Sequence, residues 1–176
     1  SKECNRVLTI AAVIGREFDL RTLEQIAGLP GDAVLDLLEE SVAARIVDEL
    51  PKALGRYSFA HALIRETLYE ELTVARRARL HRQIGEALEL TYAARIEPHA
   101  AELAHHFFQA GAAADSEKTL RYLTLAAQRA LAAVAYEEAA RLQQMALQAL
   151  DLQESPDEAR RCELLMANSS AAIAYV

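Results

Sequence analysis

Apolar residues recur at three- and four-residue intervals along most of the chain, the spacing of helices that each bury one face. Residues 5–14 carry Val7, Leu8, Ala11 and Ala12 ahead of Gly15, which predicts a helix closed by that glycine. Asp19 is placed to cap a second helix over 20–27, with Leu20, Leu23, Ile26 and Ala27 on one side and Gly28 at its end. Asp32 opens a third, in which Val34, Leu37, Leu38 and Val42 form the apolar stripe. The period then changes. Ile46-Val47 and Arg56-Tyr57-Ser58-Phe59 are short and β-prone, and Leu-Pro-Lys-Ala-Leu-Gly lies between them. Alternation puts Tyr57 and Phe59 on one face and Arg56 and Ser58 on the other, the pattern of a hairpin.

From His61 the helical period returns, with one stripe through Ile64, Leu68 and Leu72 and another through Leu80, Ile84, Ala87 and Leu88. Pro98 restarts a helix bearing Leu103, Ala104, Phe107 and Phe108 and ended by Gly111. Ser116 is placed to cap a helix over 117–132, and another covers 136–150. Ser155-Pro156-Asp157-Glu158 combines a serine cap, proline at the first helical position and a glutamate three residues on, so a last helix is expected from 156. Three short helices followed by a hairpin is the order of a winged-helix module, assigned here to residues 1–73. Over 120–150, small side chains at Ala126, Ala127, Ala130, Ala139 and Ala146 let two helices approach closely. Their spacing resembles the tetratricopeptide helix–turn–helix repeat, with Leu123 where an aromatic often sits. Gln143 and Asp151 depart from that pattern, which otherwise assigns residues 74–176 to tetratricopeptide-like hairpins. The expected fold is therefore mainly α.

Composition agrees: Ala, Leu, Glu, Arg and Gln recur, with only 6 glycines and 4 prolines among 176 residues. The net charge of −7 is unevenly spread. Acidic groups prevail before residue 75 and after residue 98, and the one basic concentration is Arg76, Arg77, Arg79, His81 and Arg82, read as a solvated helix face. Cys4 and Cys162 have neither disulfide-framework nor zinc spacing, which fits a reducing, cytoplasmic setting. No apolar run approaches the roughly 18 residues that cross a bilayer, so no membrane partner is expected. Apolar stretches stand close to both ends, the mark of a piece cut from a longer protein whose repeat array stops short. Because each repeat buries its apolar face on a neighbour, self-association is expected.

The segments RYSFAHALIRETLYEE (Arg56–Glu71) and RRARLHRQIGEALE (Arg76–Glu89), together with AAVIGREFDL (Ala11–Leu20), are more specific than any periodicity. With ELAHHFFQAG (Glu102–Gly111) they resemble the region that follows the nucleotide-binding domain in bacterial signal-transduction ATPases. That family includes MalT-like and LuxR-type ATP-binding regulators of transcription and cyclase- or kinase-fused ATPases. The resemblance implies a winged-helix domain packed on an AAA-type ATPase core, then helical repeats that meet protein or peptide partners. It implies no cofactor in this segment and ATP or ADP in the longer protein. Related immune ATPases carry a Met-His-Asp motif after the wing, whose histidine lies near the β-phosphate of ADP. Ala60-His61-Ala62 stands at the comparable place and only the histidine matches, so the resemblance implies His61 as an ADP-phosphate sensor beside a local packing or capping role. Arg65, one turn on, either shares that face or pairs with Glu66 or Glu70.

The expected function is regulation without catalysis: the segment transmits the state of an adjoining ATPase domain to output domains. No G-x-x-x-x-G-K-[ST] phosphate loop occurs; Gly15-Arg16-Glu17 and Gly28-Leu29-Pro30-Gly31 lack its spacing and its lysine. Direct nucleic-acid binding is not expected, because the third helix carries Asp32, Asp36, Glu39 and Glu40 against Arg45 alone. A metal enzyme would use His99, Glu102, His105 and His106, but the H-E-x-x-H geometry is missing. The alternatives are a fragment of a DNA-binding winged-helix transcription factor and a plain peptide-binding scaffold of helical repeats, with Tyr122, Arg129 and Tyr136 along its groove.

Overall fold

A computed structural model describes residues 1–51, 53–152 and 158–175, with side chains as far as Met166. It is mainly helical with a small antiparallel sheet of three strands. The chain divides into two compact units, Ser1–Leu88 and Glu89–Val176, whereas the sequence pattern places a module boundary at residue 73.

In the first unit, helix α1 (Lys2–Ile14) buries Val7, Leu8, Ile10, Ala11, Ala12 and Val13. Strand β1 (Glu17–Asp19) leads into α2 (Leu20–Ala27) and α3 (Gly31–Ala43). Strands β2 (Val47–Glu49) and β3 (Arg56–Phe59) follow, and α4 (Ala62–Glu70) and α5 (Val74–Thr91) complete the series. The predicted hairpin pairs Val47 with Phe59 and Glu49 with Tyr57, and buries Tyr57 and Phe59. It is not alone: β1 pairs with the other edge of β3, Phe18 opposite Tyr57, so β3 is central in the order β1-β3-β2. Phe18 packs against both Tyr57 and Phe59, with ring centroids 6.0 and 5.6 Å away. Asp19 closes the strand and caps α2 at once, its carboxylate accepting from the Thr22 amide at 2.8 Å.

At two helices, α3 and α7 (Ser116–Ala132), the cap differs from expectation. Helix α3 begins at Gly31 after Pro30, and Asp32 sits in its first turn, where a carboxylate opposes the dipole without capping. Helix α3 ends with the Arg45 amide bonded to the Val42 carbonyl and the Ile46 amide to the Ser41 carbonyl, with Arg45 at φ 57°. That paired closure is a Schellman motif, in which a left-handed residue turns the chain into β2.

The second unit contains a 3₁₀ turn at Glu97–His99, then α6 (Ala100–Ala110), α7 (Ser116–Ala132), α8 (Tyr136–Asp151) and α9 (Glu158–Tyr175). Asp115, not Ser116, caps α7, its carboxylate accepting from the amides of Glu117 and Lys118. The expected Ser155-Pro156-Asp157 start of the last helix lies outside the described residues. Helices α6, α7, α8 and α9 pack successively, α7 on α8 and α8 on α9. Ala126, Ala127, Ala139 and Ala146 are buried in α7 and α8, as their size requires at a close helix contact. A second Schellman closure ends α7, with Ala135 bonded to Ala130 and Val134 to Leu131, and here the left-handed residue is Val134 at φ 60°.

Polar groups inside the second unit are unequal. Glu89, in the last turn of α5, accepts from Lys118 Nζ at 2.6 Å and from the buried Tyr122 hydroxyl at 2.5 Å. Burial alone would raise its carboxyl, but those two hydrogen bonds and the charges of Lys118 and Arg121 hold it below the usual glutamate value. Burial and the Glu89 carboxylate push the Tyr122 hydroxyl up to about 12. Gln143 is buried on α8, and its Oε1 has no hydrogen-bond partner among the described residues.

Because the native state favours ionised Glu89, its contribution is present above the ordinary glutamate range and is lost as pH falls through the depressed value. Glu89→Gln should destabilise the protein by about 1–2 kcal/mol at neutral pH and reduce the acid-side slope of stability. Urea unfolding from neutral to acidic pH reads both effects. Gln143→Leu replaces a buried acceptor that has no partner among the described residues and should stabilise by about 1 kcal/mol, seen as a higher Tm.

Candidate functional site

The β3–α4 junction presents His61. After Phe59 the Ala60 amide bonds to the Ile46 carbonyl, and His61, extended at φ −134° and ψ 135°, accepts the Ile64 amide to start α4. Its imidazole makes no capping hydrogen bond and is exposed, as are Ala62 and Leu63, the last at 71%. Local capping through the ring is thus not what holds this histidine here.

Arg65 does not pair with Glu66 or Glu70. Its Nε donates to the Ala12 carbonyl at 3.0 Å, and its guanidinium stands 5.8 Å from the Tyr69 ring centre. The last turn of a helix has carbonyls without intrahelical donors and a partial negative charge. Helix α1 has no basic residue in its own last turn, and Arg65 supplies one from α4.

The basic run on α5 does not form a single face. His81 is 1% exposed, and its Nε2 lies 3.0 Å from the Tyr69 hydroxyl. Arg77 covers the Tyr69 ring at 5.1 Å, and Arg82 lies 3.7 Å from Glu86. Arg76 and Arg79 instead turn toward α1, where they line a cleft of about 990 Å³ with Lys2 and Arg6. Ile10, Ile26, Leu72 and Leu80 give the cleft an apolar lining, and Glu71 is its one carboxylate. The buried Leu72 anchors the turn between α4 and α5, and the Thr73 hydroxyl accepts the Arg76 amide at 3.4 Å. Arg6 is held by a hydrogen bond to the Ala27 carbonyl at 3.0 Å, at the end of α2. His61 and this cleft lie at opposite ends of α4, so they do not form one site. The cleft was invisible in the sequence because its cations come from segments seventy residues apart, although the four arginines on α5 were a partial signal.

The other candidates disperse. His99 lies 3.6 Å from Glu102 and stacks on Tyr92 at 3.5 Å, while His106 is buried and His105 exposed. Among the described residues no three His, Cys, Asp or Glu side chains are grouped to hold a metal ion. Tyr122 is buried against Phe107, with the rings nearly parallel at 5.5 Å, so it lines no groove. Tyr136 borders a shallow open pocket with Val134 and Arg141, and Arg129 is exposed outside it. Asp32, Asp36, Glu39 and Glu40 are all exposed along α3. Among the described residues no helix is long and apolar enough to cross a membrane.

No family model, curated protein or solved structure matches this chain.

Arg65→Met keeps the aliphatic stem and deletes the donor to Ala12. It should cost about 1–2 kcal/mol in chemical unfolding, whereas Glu66→Gln should be neutral within about 0.5 kcal/mol.

Proposed function

We propose that the chain is a non-catalytic regulatory and interaction segment of a larger signal-transduction ATPase or transcriptional regulator. In this reading the first unit is a winged-helix module that rests on a nucleotide-binding domain, and the second is a tetratricopeptide-like scaffold for protein or peptide partners. One observation carries it: the order α1-β1-α2-α3-β2-β3, with the last strand central in a sheet β1-β3-β2, delivers His61 to the surface at the start of the next helix.

The chemistry at that junction suits the role. An uncapped, exposed imidazole can donate to a phosphate oxygen and gain charge beside the anion. Leu63, exposed next to it, gives the same surface an apolar contact for a covering domain. The alanine contact between α7 and α8 supports the repeat reading of the second unit, while Gln143 in place of an aromatic and Val134 in the turn depart from it. A groove-reading α3 gains no support from its exposed carboxylates.

The test is ADP affinity of the full-length protein with His61→Ala. A phosphate contact predicts weakening of about tenfold or more, because a hydrogen bond to a charged group is lost. The same substitution in this chain should leave its Tm unchanged, since the ring makes no capping bond. Unchanged ADP affinity together with unchanged basal activity would remove the sensor role.

A further inference from the structure

The basic cleft of the first unit has no part in the regulatory reading above, and its chemistry points to a ligand of its own. Lys2 and Arg6 are one helical turn apart on α1, and Arg76 and Arg79 are likewise close along α5, so each pair forms a row on its helix. They share the cleft with the half-buried Ile26 and Leu80, over a floor of the buried Ile10 and Leu72. Acidic residues outnumber basic ones 26 to 19 in the chain, yet the side chains of Lys2, Arg76 and Arg79 make no ion pair among the described residues. Helix α5 has no acidic residue in its first turn, where the dipole favours an anion; Arg76 and Arg77 stand there instead. Arg76, set against its own helix dipole with no carboxylate partner among the described residues, is a local conflict of the kind that binding sites retain.

The shape selects the class of anion. No polar side chain on the lining is fully buried, so an isolated phosphate would find no converging set of enclosed donors. A nucleic-acid backbone would use the cations but not the half-buried Ile26 and Leu80. An amphipathic helix that carries carboxylates beside apolar side chains suits the cations and those two residues together.

We propose that this cleft docks an acidic amphipathic helix of a protein partner, carboxylates against Lys2, Arg6, Arg76 and Arg79 and apolar side chains against Ile26 and Leu80. The inference stands apart from the ATPase reading, and its test shares no residue with the His61 experiment.

The probe is a fluorescein-labelled helical peptide of about five turns, with leucines at helical spacing and glutamates on both flanks. Fluorescence anisotropy should report saturable binding that weakens as salt rises from about 0.05 to 0.3 M. Arg76→Glu with Arg79→Glu should reduce affinity at least about tenfold, while Arg95→Glu, an exposed site outside the cleft, should not. A peptide with serine for leucine, at the same charge, should also bind much more weakly. Circular dichroism checks the fold of the double variant; if it fails, Lys2→Glu with Arg79→Gln takes its place under the same criteria. Binding unchanged in the folded variant overturns the proposal. So does equal competition by the serine peptide, by tripolyphosphate or by a random DNA duplex. Sedimentation that shows a dimer abolished by the same substitutions assigns the cleft to a second copy of the chain and overturns it too.

Discussion

A helix that is apolar on nearly every side cannot lie on a surface, and α1 imposes this constraint on the first unit. From Val7 to Val13 only Thr9 retains appreciable exposure, so the chain must enclose the helix rather than pack along one of its faces. Helices α2, α3 and α4 and strand β1 all contact it. Each buried Val, Leu or Ile contributes about 1.5–3 kcal/mol by leaving water, but enclosure also strands polar backbone at the helix end. Arg65 answers that need by reaching the Ala12 carbonyl from α4. At the other end Cys4 Sγ lies 3.2 Å from the Ser41 hydroxyl, inside the contact with α3. The cleft with its cations lies along an open flank of the helix, beside Lys2, Arg6 and Thr9.

The second unit obeys a different constraint. Its helices follow one another in space as in sequence, and small side chains on α7 and α8 set how near they come. Specificity then rests on a few polar fixtures. The Glu89 carboxylate gathers an ammonium and a phenol from α7, which fixes the last turn of α5 against that helix. Both its partners come from one face of α7, and losing the carboxylate would leave the buried Tyr122 hydroxyl without its acceptor.

The helices were legible because their stripes are long: three or more apolar positions per element override doubts at the ends. Ends were less so, since Asp115 and Ser116 are both good caps and the sequence does not say which amides each will reach. Strand β1 escaped notice for a physical reason. Three residues are too few to show alternation, and Gly15 and Asp19 on either side carry turn and cap chemistry of their own. Its partner lies beyond two helices, so nothing local records the pairing. The strand-to-helix junction that carries His61 was legible from the change of period around it, whereas the exposure of its imidazole was not. The splitting of the arginine run was not, because Tyr69, which engages Arg77 and His81, belongs to the preceding helix.

The sheet has one further consequence, and it concerns time rather than energy. Strand β3 is the last of the three to be synthesised, yet β1 and β2 hydrogen-bond only to it. During synthesis β1 therefore waits, with Phe18 uncovered, while two helices and β2 emerge. The helices beyond residue 100 close contacts mainly between sequence neighbours and need no such delay. The sheet is thus completed only once β3 has emerged, and the display of His61 depends on it, because the residue takes up its extended conformation just past β3.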